Sequence, residues 1–430
     1  MKTENNYLGT IQWFVYLLAN SIALPIVIGN IYHLSEQDIS SLMQRTFFIV
    51  GLSSFIQAKF GHRYPIADGP AGSWVSIFVI YASVSLQQGN TYVETLQILG
   101  AGLLFAGLSL FLLGITKWVR HLLFLFSPIV TGIFLFILAI QLSGVFFNGM
   151  LLSSNNSGQL DIISFLLSML VFFLILILNT KGKGWVKSYS ILIGILIGWF
   201  LFAALGNGAT SRTISPELIK LPEVFVWGLP NFNGGMIGTA VLFTFLLLSN
   251  TFAAISAAEE VIPHKKKSLQ ERLHSSTWVG GISHFLAAIF STIPAVPLPA
   301  TAGFVKLTKQ YRILPFLLAC GILILTSLFP GIVGVLASLP LPVASAALLA
   351  TLIEMLGIAF RSLTKQPLNE RNITIICVAV LFGIGFMFLP EGTFNGLPNI
   401  IQHIFSNGLL IGTFLAIVLD QLWKNKKSFH

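Results

Sequence analysis

The sequence predicts an all-α polytopic membrane protein of fourteen transmembrane spans, arranged as two inverted seven-span repeats, and three observations carry that prediction. Charged residues are only 9% of a chain that is 55% hydrophobic, against about 25% charged in a soluble domain. The apolar residues fall in runs of about 20, enough to cross about 30 Å of hydrocarbon at about 1.5 Å per helical residue. Two interrupted segments, Tyr64-Pro-Ile-Ala-Asp-Gly-Pro-Ala-Gly-Ser-Trp74 and Ile293-Pro-Ala-Val-Pro-Leu-Pro-Ala-Thr-Ala-Gly303, match each other 229 residues apart.

The spans centre near residues 21, 49, 79, 104, 133, 170, 197, 247, 283, 303, 325, 350, 380 and 414. The first apolar run is too long for a signal-peptide core and lacks a cleavage site, so a retained span is expected. Neither end carries a lipidation motif. With a cytoplasmic N-terminus, inside segments hold 21 of the 24 Lys and Arg residues, and outside segments only Arg212 and Lys220, with Arg45 inside the second span. A single missed span would scramble that bias, so both termini are expected in the cytoplasm of a plasma-membrane protein.

The net charge of +9 lies in short loops between spans. It is therefore read as a topology signal, not as a nucleic-acid surface. Lys265-Lys266-Lys267 is one such anchor. Cys320 and Cys377 have no spaced partner and are expected to pack. No metal cluster, nucleophile elbow or phosphate-cradling loop is present, so neither an enzyme nor a cofactor is expected.

In each interrupted segment two prolines five apart remove backbone donors and block helix upstream, so a half-helix can start in mid-membrane. Pro65 aligns with Pro294, Pro70 with Pro299 and Ala71 with Ala300. The third span runs outward and the tenth inward, which makes the repeats inverted. Paired broken spans in corresponding halves point to a midplane transport site. There, short extended segments and helix N-termini present free N–H groups.

Further motifs give the chain a family resemblance. Gln12 and Pro25 keep the spacing of a Gln-His…Pro pattern in the first span. Ser127-Pro-Ile-Val-Thr-Gly132 is similar to Pro-Pro-x-Val-x-Gly, and Leu339-Pro-Leu-Pro-Val343 to a Pro-x-Pro-Val element. Gly303 with Thr308-Lys309 keeps a Gly-x4-Thr-Lys ending. Together these resemble the nucleobase–ascorbate transporters, which include uracil and xanthine permeases.

The resemblance implies a core domain of residues 1–118 and 236–338 and a gate domain of residues 119–235 and 339–430. It also implies proton-coupled import of a nucleobase, with substrate held between spans 3 and 10 beside span 8. Members dimerise through the gate, so a homodimer is an implied partner, beside the nucleobase, the proton and the bilayer. Three family positions differ here. Ala300-Thr301 stands for an acidic residue or Gln followed by Asn, Ser249–Phe252 holds no glutamate, and Trp13 replaces a histidine.

Substrate-binding candidates are Gly72, Ser73, Trp74, Asn250, Thr251, Ala300 and Thr301. Trp74 can stack on a flat heterocycle or simply pack. Asn250 and Thr251 can read a base edge or bond between helices, and Thr301 can do the former or cap a helix. Proton-coupling candidates are Asp68, Arg45 and Glu354. Asp68 can carry the proton, pair with Arg45, or switch between the two. Glu354 can gate or merely face a cavity. His284 reads as an ordinary interior histidine. A small-anion transporter of the same fold is the competing function, because two helix N-termini without nearby carboxylates suit an anion.

Overall fold

Side-chain caps and prolines decide where the helices of this chain begin. The computed structural model describes all residues except 1–3, 88, 126, 152–160, 206–216, 264–267, 391–392, 395–396, 398–400, 403–404 and 424–430. The Lys265–Lys267 anchor therefore lies outside the described residues, as do Lys2, Arg212, Lys424, Lys426 and Lys427.

The first half runs α1 (Glu4–Ser21), α2 (Ala23–Ile31), α3 (Glu36–Lys59), β1 (Asp68–Pro70), α4 (Gly72–Gln87), α5 (Tyr92–Ile115), α6 (Val119–Leu122), α7 (Pro128–Leu151), α8 (Ile162–Lys181), α9 (Trp185–Ser188) and α10 (Ser190–Ala204). The second half runs α11 (Gly234–Val261), α12 (Leu269–Ile289), β2 (Ala295–Pro297), α13 (Thr301–Thr308), α14 (Ile313–Ser327), α15 (Pro330–Ala337), α16 (Leu341–Leu363), α17 (Glu370–Met387) and α18 (Gly408–Leu422). Among the described residues, eight helices are long and apolar enough to cross a membrane, or nine if α14 and α15, bent by 90°, form one span. The cores of α4, α10 and α18 are apolar but shorter. Each of the fourteen expected centres falls on a helix or at its end.

Several helices start on capping residues. Ser35 accepts from the Asp38 N–H, Asn233 from Gly235 and Met236, Ser268 from Glu271 and Asn407 from Leu410. Such caps satisfy N–H groups that a helix end leaves free. Thr91 and Glu94 close a reciprocal capping box at the start of α5. In contrast, α13 starts from Ala300, which has no side chain to cap it.

At the two interrupted segments the chain forms strands. β1 and β2 pair antiparallel, Asp68 with Pro297, Gly69 with Val296 and Pro70 with Ala295. All six residues are buried. Backbone bonds extend the ladder at both ends, Ala71 N–H to the Pro294 carbonyl and Leu298 N–H to that of Ala67, each 2.9 Å. The 229-residue offset relates these contacts to one another: Asp68 faces its own counterpart, and the Leu298–Ala67 bond is the image of the Gly69–Val296 pair. A two-fold axis through the Asp68–Pro297 pair produces this pattern.

The helix packing repeats it. The most extensive contacts are α7 on α16, α5 on α12 matched by α3 on α14, α11 on α5 matched by α1 on α14, and α17 on α18 matched by α8 on α10. Exchanging corresponding helices of the two halves of the chain converts one member of a pair into the other. Two groups result, one holding α1, α3, α5, α11, α12 and α14, the other α7, α8, α10 and α16–α18, with the two strands within the first.

Candidate functional site

The strand ladder organises the site, because the first turns of α4 and α13 leave from its two ends. Irregular backbone at membrane depth must satisfy its polar groups inside the protein or face a polar cavity. Here neighbouring helices supply many partners. Asn250, half-buried on α11, donates its side-chain amide to the Pro297 carbonyl at 3.0 Å and so fixes α11 to β2. Thr251 turns its hydroxyl back to the Leu247 carbonyl at 2.9 Å. Of these two candidates, one thus holds the ladder and the other satisfies its own helix.

Ser73 and Thr301 differ from their neighbours. Both are buried in first turns, and neither hydroxyl has a hydrogen-bond partner. The Tyr16 hydroxyl of α1 faces Thr301, yet no bond of ordinary geometry closes between them. Thr301 is the first helical residue, not the cap, so a capping role is not seen. Gly72 opens α4 against Leu142 of α7: a β-carbon there would lie 3.4 Å from the Leu142 side chain. Buried hydroxyls without partners cost free energy that a ligand edge can recover.

Trp74 is fully buried. Its indole N–H donates to His284 Nε2 on α12 at 3.1 Å, and its ring meets Phe243 of α11 at 5.0 Å and 65°. His284 Nδ1 lies 2.8 Å from the Gly280 carbonyl, so the neutral tautomer protonated at Nδ1 fits both bonds. His284 is therefore a partner of a candidate residue and not a bystander. The two stand 210 positions apart, and no local pattern links them.

Asp68 and Arg45 do not form the ion pair that the sequence allowed. Arg45 donates instead to the carbonyls of Ser41, Phe290 and Ser291, at 3.1, 3.2 and 2.6 Å, capping the C-terminus of α12. A guanidinium there meets the negative end of a helix dipole, which competes well with a single carboxylate. Asp68 is held by serines: Ser53 donates to its Oδ2 at 2.5 Å, Ser53 and Ser283 hydroxyls lie 2.6 Å apart, and the Asp68 N–H donates to Ser54 at 3.0 Å. Its Oδ1 is buried without a hydrogen-bond partner.

Glu354 accepts from the Asn179 amide at 2.7 Å, a bond from α8 to α16, and it lies within electrostatic reach of Tyr16, whose hydroxyl faces Thr301. Trp13, where the family has histidine, fills an aromatic cluster with Tyr16, Phe304 and Phe316. Cys320 is buried as expected, whereas Cys377 is exposed. No group of metal-ligating side chains occurs among the described residues.

Comparison with known proteins agrees with the sequence motifs. The model Xan_ur_permease, described as a permease family, matches residues 5–392. The Bacillus subtilis permease YwdJ is 34% identical over 427 residues, covering 98% of this chain and 97% of that protein. The xanthine permease of the same bacterium is 25% identical, covering 95% of this chain and 92% of its own. Among solved structures, the transmembrane domain of the cyanobacterial bicarbonate transporter BicA superposes with a TM-score of 0.63 at 13% identity, over 96% of this chain and 97% of that one. That last likeness is one of fold alone. A family match across nearly the whole length and a relative above 30% identity give the conclusion: the chain belongs to the Xan_ur_permease family, the nucleobase–ascorbate transporters that its motifs resemble.

Proposed function

We propose that this protein is a secondary active transporter that imports a purine nucleobase across the plasma membrane, driven by protons. The observation that carries the proposal is whole-length similarity to a xanthine permease. Its complement is a buried ladder whose adjoining half-helices hold two hydroxyls without partners. A purine edge carries both donors and acceptors, and such hydroxyls can meet either.

In this reading the chain crosses the membrane fourteen times in two inverted repeats, with both termini on the cytoplasmic side that the Lys and Arg distribution favours and the ladder near the bilayer midplane. The group containing α1, α3, α5, α11, α12 and α14 is the core, and the group of α7, α8, α10 and α16–α18 is the gate. Alternating access is then movement of one against the other, with the joint near Gly72–Leu142 and near Ser249–Thr131, whose hydroxyls lie 3.4 Å apart. Ser73, Thr301, Gly72 and Ala300 line the substrate position, and Trp74, Asn250 and Thr251 support it. Glu354 is a gate residue, and Arg45 holds the far end of α12.

The fold shared with a bicarbonate transporter keeps a small anion as the second reading. Asp68 weighs against it: its carboxylate is buried beside the ladder, and among the described residues no cation pairs with it. Proteoliposomes loaded with labelled xanthine test the two. Saturable exchange with external xanthine is expected, and it stops when Thr131→Cys and Ser249→Cys are joined by a short reducible cross-linker. Exchange of bicarbonate or sulfate that xanthine does not inhibit reverses the ranking.

A further inference from the structure

We infer that Asp68, Ser53 and Ser283 form a built proton-loading site: a hydroxyl chain that accommodates both the charged and the neutral carboxyl with no movement of heavy atoms. It rests on the reading of the protein as a proton-driven purine transporter and deepens it by assigning where the proton is held.

The chain has four members in line. Asp68 Oδ2 lies 2.5 Å from Ser53 Oγ, Ser53 Oγ lies 2.6 Å from Ser283 Oγ, and Ser283 Oγ lies 3.3 Å from the Val279 carbonyl. A hydroxyl donates one bond and accepts up to two, so the line can point either way. With the carboxylate charged, Ser283 donates to Ser53 and Ser53 donates to Oδ2. With the carboxyl neutral, Oδ2–H donates to Ser53, Ser53 to Ser283, and Ser283 to the Val279 carbonyl. Converting one arrangement to the other adds or removes one proton at Asp68 and rotates two hydroxyls. The carbonyl at the far end is what permits the neutral arrangement, because it accepts the hydrogen that Ser283 then turns outward.

Burial and charge isolate the site. Asp68, Ser53, Ser54 and Ser283 are all 0–1% exposed. Asp68 Oδ1 has no partner, so a permanently charged carboxylate would keep one oxygen unsatisfied. The elements packed against β1 are α1, α3 and β2, with α12 reached through Ser283 and α14 through Cys320. On α3, Arg45 is turned to carbonyls beyond the end of α12, and Lys59 lies over the Phe55 and Phe60 rings. On α12, His284 is bonded to Trp74 and the Gly280 carbonyl, Arg272 donates to the His62 carbonyl, and Glu271 and His274 lie in the first two turns. On α1 only Tyr7 and Tyr16 are titratable beyond Glu4, and β2 offers nothing. On α14 the titratable group is the buried thiol of Cys320. None of these forms an ion pair with Asp68 among the described residues.

The chain also meets the substrate side. Asp68 is the first residue of β1, four positions before Gly72, where α4 starts. Ser283 precedes His284, whose ring accepts from Trp74. Protonation at one end and occupancy at the other therefore act on the same turn of α12 and the same strand.

The test uses the full chain in liposomes and in infrared difference spectra between acid and alkaline buffer. Wild type is expected to show xanthine-dependent proton entry and a protonated-carboxyl C=O band in acid. Asp68→Asn is expected to lose both. Ser53→Ala is expected to shift the position of that band, since the carbonyl stretch reports its hydrogen bond, and this second arm stands even if Asp68→Asn does not fold. Wild type with neither xanthine binding nor proton entry overturns the transport reading. Proton entry and band both intact in Asp68→Asn, or a band unmoved by Ser53→Ala, overturns the proton site alone.

Discussion

Trp74 donates to His284 across 3.1 Å of a fully buried contact between α4 and α12. Hydrogen bonds between membrane helices average about 0.6 kcal/mol and reach about 1.7. Trp74→Phe keeps most of the ring volume against Phe243 and leaves His284 Nε2 without its donor. It should cost about 1 kcal/mol of stability, read by thermal unfolding in detergent against wild type. Unchanged stability would mean that the bond does not hold α4. Trp74 was legible as a candidate in the sequence, because it lies where the resembled family presents an aromatic to its substrate. Its partner was not, since His284 reads as any interior histidine until the fold brings positions 74 and 284 together. The same holds for Arg45. The sequence offers a buried cation near a buried acid, but only the packing shows that the C-terminus of α12 lies closer to it.

Helix pairs in this protein approach most closely at glycine. On α5, a β-carbon at Gly114 would lie 2.4 Å from the Trp278 backbone nitrogen, and one at Gly107 3.0 Å from the Gly281 carbonyl. Backbone cannot yield as a flexible side chain can, and small residues are how membrane helices gain close van der Waals contact. A β-carbon at Gly100, on the same helix, meets nothing within 4 Å. Gly114→Ala should therefore lower stability by about 1–3 kcal/mol, in the range of overpacked cores. Gly100→Ala should be neutral or slightly stabilising through helix propensity. Equal stability of the two variants in detergent unfolding would show that α5 and α12 separate freely. The presence of these helices was legible from apolar run length, but their contacts were not. Four glycines on one apolar helix look alike in a sequence, and only the packing of α11 and α12 against it distinguishes them.

At the scale of the whole molecule, the prolines at 65, 70, 294 and 299 were the most informative residues. Their common offset relates one half of the chain to the other, and the pairing of Asp68 with Pro297 follows the same offset. Matched helix contacts extend that relation through both packing groups. The family was legible too, from short motifs spread over the chain. Substrate class is harder to read, because the positions that differ from the family include the start of α13 beside the ladder, where Ala300 and Thr301 stand for an acidic residue or Gln followed by Asn, and Trp13 in α1, which stands for a histidine. What most needs testing is that this altered site still receives a purine. The most direct measurement is ligand-induced thermal stabilisation of purified protein by xanthine, hypoxanthine, guanine, adenine, uracil, sulfate and bicarbonate, since a ligand that binds only the folded state raises apparent stability. The expected result is stabilisation by one or more purines, lost in Asn250→Leu, whose side chain no longer holds the Pro297 carbonyl. Stabilisation by sulfate or bicarbonate, with every base inert, would contradict it.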